Sequence, residues 1–141
     1  MNGPTTLFLS KGSYDVLYQK AVNDYPYETC GFLIGTKGYF RTVFKLKSAT
    51  NQSTERNRFQ IDPFDFYTLE KSLEKSHQSI IGFYHSHPDG RAQPSSIDVA
   101  LAWPDYSYII VALNSDYKTT LRSWQIDVKE KECIEEPIIM Y

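Results

Sequence analysis

The chain has 141 residues, a net charge of −2 and a pI of about 5.9. This is the length of one domain, and the sequence contains no basic run that would favour binding to nucleic acid or to an anionic membrane. No apolar run approaches the roughly 20 residues of a membrane span. We therefore expect residues 1–141 to form a single domain that binds neither nucleic acid nor a membrane.

The cysteines and the N-terminus indicate a reducing compartment. Cys30 and Cys133 are far apart and do not form the disulfide framework of a small secreted protein or the paired spacing of a cysteine zinc site. The N-terminus lacks the basic and then apolar pattern of a signal peptide. We expect a cytoplasmic protein.

Strands and helices alternate in the first half of the chain. Residues 5–9 predict a short strand, and strands are also predicted over 30–35 and 39–46. Residues 48–60 are polar and irregular, which predicts a loop or a loop with an irregular edge strand. An amphipathic helix, with Ser10 or Ser13 as its cap, is predicted before Pro26, which ends it. Its apolar residues recur at helical spacing: Tyr14, Leu17, Tyr18, Ala21 and Val22.

The second half continues this alternation. Asp62 as N-cap and Pro63 at the first helical position predict a helix that runs to about residue 76. Strands are predicted over 80–87, 106–113 and 119–128, a short helix over 94–102, and a weak edge strand over 133–141. Strands separated by three helices indicate a mixed α/β sandwich.

The stretch from residue 80 to residue 98 contains the residues most able to carry chemistry. Side chains two apart on a strand share a face, so His85 and His87, ~7 Å apart along the strand, can converge on one ion. A catalytic zinc site uses three protein ligands and one open position. The third ligand is Asp89 in the following loop or Asp98 on a helix, and we prefer Asp98 because a helix holds a ligand more rigidly.

Each of these residues also has an ordinary structural explanation. Buried histidines usually form hydrogen bonds within the core, and the spacing alone leaves both explanations open for this pair. Ser95 and Asp98 have the spacing of a capping box. Glu28 on its own would be a solvated loop carboxylate, Cys30 a buried thiol and His77 a surface residue.

Taken together, these residues resemble the motif of the JAMM metallopeptidases, also called MPN+ or JAB1/MPN/Mov34 enzymes. The motif here is His85-Ser-His87-Pro, seven residues from Pro88 to Pro94, Ser95-x-x-Asp98, and Glu28 upstream. The blocks ETCGFLIG, RFQIDP and WPDYSYIIV resemble the flanking segments of that family. The resemblance implies a single-domain, cytidine-deaminase-like α/β fold, with a mixed β-sheet flanked by about three helices.

The resemblance also implies roles for five residues. His85, His87 and Asp98 would bind one Zn²⁺ ion, with water at the fourth position. Glu28 would act as the general base, and Ser95 would donate a hydrogen bond to the oxyanion. The reaction would be hydrolysis of a peptide or isopeptide bond.

The compact chain is most similar to the small prokaryotic members of this family. These members act on ubiquitin-like sulfur carriers of the ThiS/MoaD type, or on their conjugates. We therefore expect cleavage after the C-terminal Gly-Gly of such a carrier. The carrier tail is expected to lie beside residues 51–60, with Arg56 and Arg58 contributing to its affinity.

Other functions stay open at this point. The chain could be a deubiquitinase-like isopeptidase, or a metal-binding interaction module without hydrolysis. Two histidines and a carboxylate also occur in non-haem iron oxygenases. A role in DNA repair or in phage-tail processing is a further alternative, and the acidic pI argues against the DNA role.

Overall fold

The computed structural model describes residues 5–53 and 59–141. None of the helices in these two ranges is long and apolar enough to cross a membrane. In chain order the elements are β1 (Leu7–Leu9), α1 (Lys11–Asp24), β2 (Cys30–Lys37), β3 (Arg41–Ala49), α2 (Pro63–Leu73), β4 (Ser79–Pro88), α3 (Ser96–Leu101), β5 (Ser107–Leu113), β6 (Thr119–Asp127), β7 (Glu132–Glu136) and β8 (Ile138–Met140).

These strands form one mixed sheet in the order β7-β6-β5-β4-β2-β3-β1-β8. Strand β4 is parallel to β5, strand β1 is parallel to both β3 and β8, and the other pairs are antiparallel. The parallel β4–β5 pair requires a long crossover connection, and this connection contains α3. The prediction of a mixed sheet flanked by three helices is confirmed.

The end of the chain differs from the predicted edge strand over residues 133–141. It forms two strands, β7 and β8, which are separated by Pro137 alone and yet pair at opposite ends of the strand order. The two edges of the sheet therefore meet at Pro137, whose carbonyl accepts a 2.9 Å hydrogen bond from the Leu7 N–H. Proline suits this junction because it has no N–H to contribute to a ladder.

The helices begin at the predicted caps, but two of them are shorter than predicted. Asp62 accepts a hydrogen bond from the Phe64 N–H, with Pro63 in the first turn of α2. Helix α2 ends at Leu73 because residues 74–78 form a local turn in which the Ser76 hydroxyl accepts from the Gln78 N–H. Helix α3 starts only at Ser96, since the residue before it is the extended N-cap.

The sheet separates two apolar cores. One core contains Leu17 and Ala21 of α1, and the other packs against α2 and α3. Tyr84 belongs to the first core and Phe83 to the second, because successive side chains of a strand point to opposite faces. His85 and His87 follow Phe83 at intervals of two, so they lie on the face that α2 and α3 cover.

Candidate metal centre

Two antiparallel strands bring the predicted residues together. In the β2–β4 ladder Cys30 is paired directly with His85. Because the strands are antiparallel, Glu28, two residues before Cys30, comes close to His87, two residues after His85. One ligand atom each from Glu28, His85 and His87 lies within 4.8 Å of the others.

Three side-chain atoms form a tight triangle at this point. His85 Nε2 and His87 Nε2 are 3.0 Å apart, and each is 3.1 Å from Asp98 Oδ2. An ionised carboxylate only accepts hydrogen bonds, so no assignment of protons makes all three contacts hydrogen bonds. Two ligands about 2.0–2.1 Å from a tetrahedral zinc ion would be about 3.3 Å apart. The triangle therefore fits one metal ion better than it fits a hydrogen-bond network.

The surroundings of the histidines orient their rings. His87 Nδ1 lies 2.6 Å from the Arg91 carbonyl, and this contact requires the proton to be on Nδ1 and leaves the Nε2 lone pair for a ligand, as in many metal sites. The His85 ring stacks on Phe59 at a centroid distance of 4.3 Å. His85 is 1% exposed, and its Nδ1 has no hydrogen-bond partner among the described residues.

A capping box holds Asp98 in place. Ser95 is the N-cap of α3; its hydroxyl oxygen accepts from the Asp98 N–H at 3.0 Å, and its own N–H donates to Asp98 Oδ2 at 2.8 Å. The capping explanation and the functional one are thus compatible. The cap aims the carboxylate of Asp98 at the histidines and leaves the Ser95 hydroxyl proton free to be donated, because a hydroxyl both donates and accepts.

Glu28 is a buried carboxylate beside the triangle. Its side chain is 3% exposed, Oε1 lies 3.9 Å from His87 Nε2, and Oε2 has no hydrogen-bond partner in the described parts of the chain. Burial raises the pKa of Glu28 to about 7; His87 opposes this shift and Asp98 adds to it. A carboxyl with such a pKa can both take up and release a proton near neutral pH.

The pKa shifts of the other three groups favour an ionised Asp98 and a neutral His85. Burial opposes ionisation of Asp98, but hydrogen bonds from His85, His87 and the Ser95 N–H outweigh it and hold the pKa of Asp98 well below its usual range. Burial lowers the pKa of His85. For His87, burial is outweighed by contacts with Asp98, the Arg91 carbonyl and Glu28, so its pKa is raised.

The remaining sequence candidates lie outside the cluster. The carboxylate of Asp89, the alternative third ligand, accepts hydrogen bonds of 2.8 Å from the Tyr25 hydroxyl. His77 is exposed, as expected. Cys30 is 1% exposed and burial raises its pKa to about 12, so it is an unreactive packing residue. The predicted contact of Arg56 and Arg58 with a carrier tail falls on residues outside the described ranges.

Sequence reasoning missed the residues that hold Glu28. Ser86 lies between the two histidines and points to the opposite face, where its hydroxyl accepts from the Thr29 N–H at 2.8 Å. Asn51 donates from Nδ2 to the Glu28 carbonyl at 3.1 Å. The only available signal was an asparagine within the polar segment 48–60, where asparagine is common in ordinary turns.

An apolar cavity of about 250 Å³ opens next to the triangle. Its polar lining includes His85, Ser95 and Asp98, together with Gln60 and Asp62. The rest of its wall comes from α2, α3, their flanks and strands β4 and β5, and includes Phe59, Ile61, Phe66, Phe83, Ile97, Leu101, Trp103 and Tyr108. Its mostly apolar lining and few polar groups are typical of a ligand-binding site.

Comparisons with known proteins agree with this geometry. The model of a family described as prokaryotic homologs of the JAB domain matches residues 10–127. The chain is 34% identical over 109 residues to a desampylase of Haloferax volcanii, with 76% of each chain covered. It is 30% identical over 143 residues to the CysO-cysteine peptidase of Mycobacterium tuberculosis, with 94% of this chain and 96% of the relative covered.

Two solved structures show the same architecture. A protein from Desulfitobacterium hafniense superimposes with a TM-score of 0.85 at 31% identity, with 96% of this chain and 92% of that chain covered. A JAB1/MPN domain protein from Archaeoglobus fulgidus superimposes with a TM-score of 0.59 at 18% identity, with 93% and 97% covered. The latter shares the fold.

Proposed function

The chain belongs to the family of prokaryotic JAB-domain homologues, and on this basis we propose that it is a JAMM-type zinc peptidase that cleaves after the C-terminal Gly-Gly of a ubiquitin-like protein. One observation carries the proposal. The ligand atoms of His85, His87 and Asp98 lie within 3.1 Å of one another, beside the buried carboxylate of Glu28.

We assign His85, His87 and Asp98 as the metal ligands. Asp98 is preferred to Glu28 as the third ligand, because Asp98 Oδ2 is 3.1 Å from His87 Nε2 and Glu28 Oε1 is 3.9 Å from it. Two imidazole nitrogens and one carboxylate oxygen match the donor set of a catalytic zinc site. When bound, the ion supplies Lewis acidity and makes water a stronger nucleophile near neutral pH.

Glu28 is the group that moves the proton in this proposal. Water adds to the substrate carbonyl carbon, and the ionised Glu28 accepts a proton from that water. The C–N bond then breaks, and Glu28 returns the proton to the leaving amine nitrogen. Burial raises the pKa of Glu28 in the metal-free protein, and a raised pKa makes a carboxylate a stronger base for the first step.

Ser95 stabilises the charge that develops on the carbonyl oxygen. Its hydroxyl oxygen accepts from the Asp98 N–H, so its own proton is available for the oxyanion. Ser95 is held in place because its N–H donates to Asp98 Oδ2 and its carbonyl accepts from the Val99 N–H, which gives the preorganised donor that such catalysis requires.

The substrate class comes from the relatives and from the cavity. The names of the two relatives, desampylase and CysO-cysteine peptidase, together with the family resemblance, support a ubiquitin-like protein as substrate. The apolar cavity beside Ser95 and His85 offers room for part of its C-terminal tail. Both cysteines are free thiols, which agrees with a reducing compartment, and we place the protein in the cytoplasm.

Mass spectrometry tests this function directly. Ubiquitin-like carriers that bear a short extension after Gly-Gly, or an isopeptide-linked peptide, are incubated with zinc-loaded protein. We expect release of the carrier ending in Gly-Gly, loss of activity on chelation and recovery on addition of zinc. A metal-binding module without hydrolysis would release nothing, and an iron oxygenase would require iron and oxygen instead of zinc.

A further inference from the structure

We propose that Asn51 is a positioning residue that fixes the orientation of Glu28 and links it to the main chain at Ser53 and Gln60; this inference rests on the proposed function. Within residues 5–53 and 59–141, none of the hydrogen bonds of Asn51 goes to a proposed metal ligand. Asn51 acts on Glu28 through the main chain.

The peptide unit between Glu28 and Thr29 is held by side chains at both ends. Its carbonyl accepts from Asn51 Nδ2 at 3.1 Å, and its N–H donates to the Ser86 hydroxyl at 2.8 Å. The β2 ladders begin only at Cys30, so no ladder hydrogen bond holds this peptide unit. Asn51 and Ser86 take the place of the neighbouring strands.

This peptide unit is important because little holds the carboxylate itself. Glu28 Oε2 has no hydrogen-bond partner among the described residues, and Oε1 is 3.9 Å from His87 Nε2, beyond hydrogen-bond distance. The direction of the side chain therefore depends on its backbone. A displacement of about 1 Å can cost on the order of 10²-fold in rate, so the groups that fix this backbone influence catalysis.

The amide oxygen of Asn51 binds the main chain at two further residues. Asn51 Oδ1 accepts from the Ser53 N–H at 3.0 Å and from the Gln60 N–H at 2.9 Å. A further hydrogen bond of 2.9 Å joins the Gln52 N–H to the Gln60 carbonyl. These partners are main-chain groups, and each of them can only donate or only accept. The amide oxygen therefore faces the Ser53 and Gln60 N–H groups, and the amide nitrogen faces the Glu28 carbonyl.

Asn51→Asp tests the donor and the acceptor of this side chain separately. It keeps the Oδ1 acceptor for Ser53 and Gln60, and replaces the donor to Glu28 with an oxygen that repels the carbonyl. We expect kcat to fall roughly 10–100-fold, as for loss of an outer-shell partner, with KM unchanged. Thr50→Asp adds the same charge at the exposed preceding residue and should keep the wild-type kcat.

Asn51→Ala removes both the Nδ2 donor and the Oδ1 acceptor. It should lower kcat and also raise KM, because the Ser53 and Gln60 N–H groups also lose their acceptor. In the metal-free protein, amide hydrogen exchange at Ser53 and Gln60 should be faster in Asn51→Ala and unchanged in Asn51→Asp. This second measurement does not depend on activity.

The outcomes separate this inference from the proposed function. If wild type and Thr50→Asp cleave the carrier and Asn51→Asp shows the same kcat, Asn51 does not position Glu28 and the inference is overturned while the function stands. Should Asn51→Asp fail to fold, an unchanged kcat in Asn51→Ala overturns it equally. If zinc-loaded wild type cleaves no carrier, the proposed function fails and the inference fails with it.

Discussion

Cys30 pairs directly with His85 across the antiparallel β2–β4 ladder, and this register places Glu28 beside His87. A slip of one residue would turn the side chains of one strand to the opposite face of the sheet. The site is therefore assembled by the fold, from residues more than fifty positions apart in sequence. Metal binding to such a site stabilises the folded state, because the unfolded chain does not present it.

Replacing Glu28 by Gln should stabilise the metal-free protein at alkaline pH. The pKa of Glu28 is raised from 4.5 to about 7 in the folded protein, so between these values the folded state binds a proton that the unfolded state has lost. The contribution of Glu28 to the free energy of unfolding therefore falls as pH rises from about 4.5 to about 7 and is level above that range. The loss amounts to about 3 kcal/mol. Glu28→Gln removes this loss.

Urea unfolding of chelator-treated wild type and Glu28→Gln at pH values from 4 to 9 measures this effect. We expect the two stability curves to diverge above about pH 5 and then to run parallel above about pH 7–8. A difference in stability that is independent of pH would show that Glu28 has an ordinary pKa.

Asp98→Asn should weaken zinc binding strongly, because it removes the charge of the proposed carboxylate ligand that both histidines face. We expect a loss greater than the roughly 10–100-fold caused by removing an outer-shell partner, measured by competition with a chromogenic chelator. Asp89→Asn is the matched control, since its carboxylate bonds to Tyr25 instead. Equal affinities in Asp98→Asn and wild type would exclude Asp98 as a ligand.

Ser95→Ala should lower kcat by roughly 10²–10³, the usual cost of losing an oxyanion donor. The same change also removes a helix cap, which costs about 1 kcal/mol of stability. Ser95→Thr keeps the hydroxyl for both roles and should retain most of the activity. If Ser95→Ala lost stability and kept its kcat, Ser95 would be a cap alone.

The motif residues could be predicted from the sequence, and the residues that support them could not. Alternation along an apolar strand put His85 and His87 on one face, and the cap at Ser95 fixed the direction of Asp98; both depend on local geometry. Asn51 and Ser86 act through contacts between segments distant in sequence. Such contacts leave no periodic pattern, so sequence patterns do not single these residues out.

The ends of the sheet were also beyond sequence reasoning. Residues 133–141 showed weak strand character, but which strands they pair with depends on the closure of the whole sheet at Pro137. The buried carboxylate of Glu136 lies next to Pro137, where the two edges of the sheet meet. It accepts hydrogen bonds from the Thr5 hydroxyl at 2.8 Å, the Ser123 hydroxyl at 2.7 Å and Gln125 Nε2 at 2.9 Å.

Glu136→Ala should therefore be strongly destabilising. Glu136 is 1% exposed, and the change leaves three donors without this buried acceptor. We expect a loss of about 3 kcal/mol or more in the free energy of unfolding. Glu135→Ala, at the neighbouring exposed residue paired with Arg122 at 3.4 Å, should change it by about 1 kcal/mol or less. Urea unfolding compares the two, and equal losses would contradict a special role for Glu136.

The central claim is that Glu28 drives hydrolysis of the bond after Gly-Gly with the aid of a metal held by His85, His87 and Asp98. The most direct measurement is mass spectrometry of the cleaved carrier after reaction in water labelled with heavy oxygen, for zinc-loaded wild type and Glu28→Gln. We predict one labelled oxygen in the new C-terminal carboxylate, none in the leaving fragment, and a rate about 10²–10⁴-fold lower in Glu28→Gln. Equal rates in the two proteins at equal zinc content, or a cleaved carrier without label, would contradict the account.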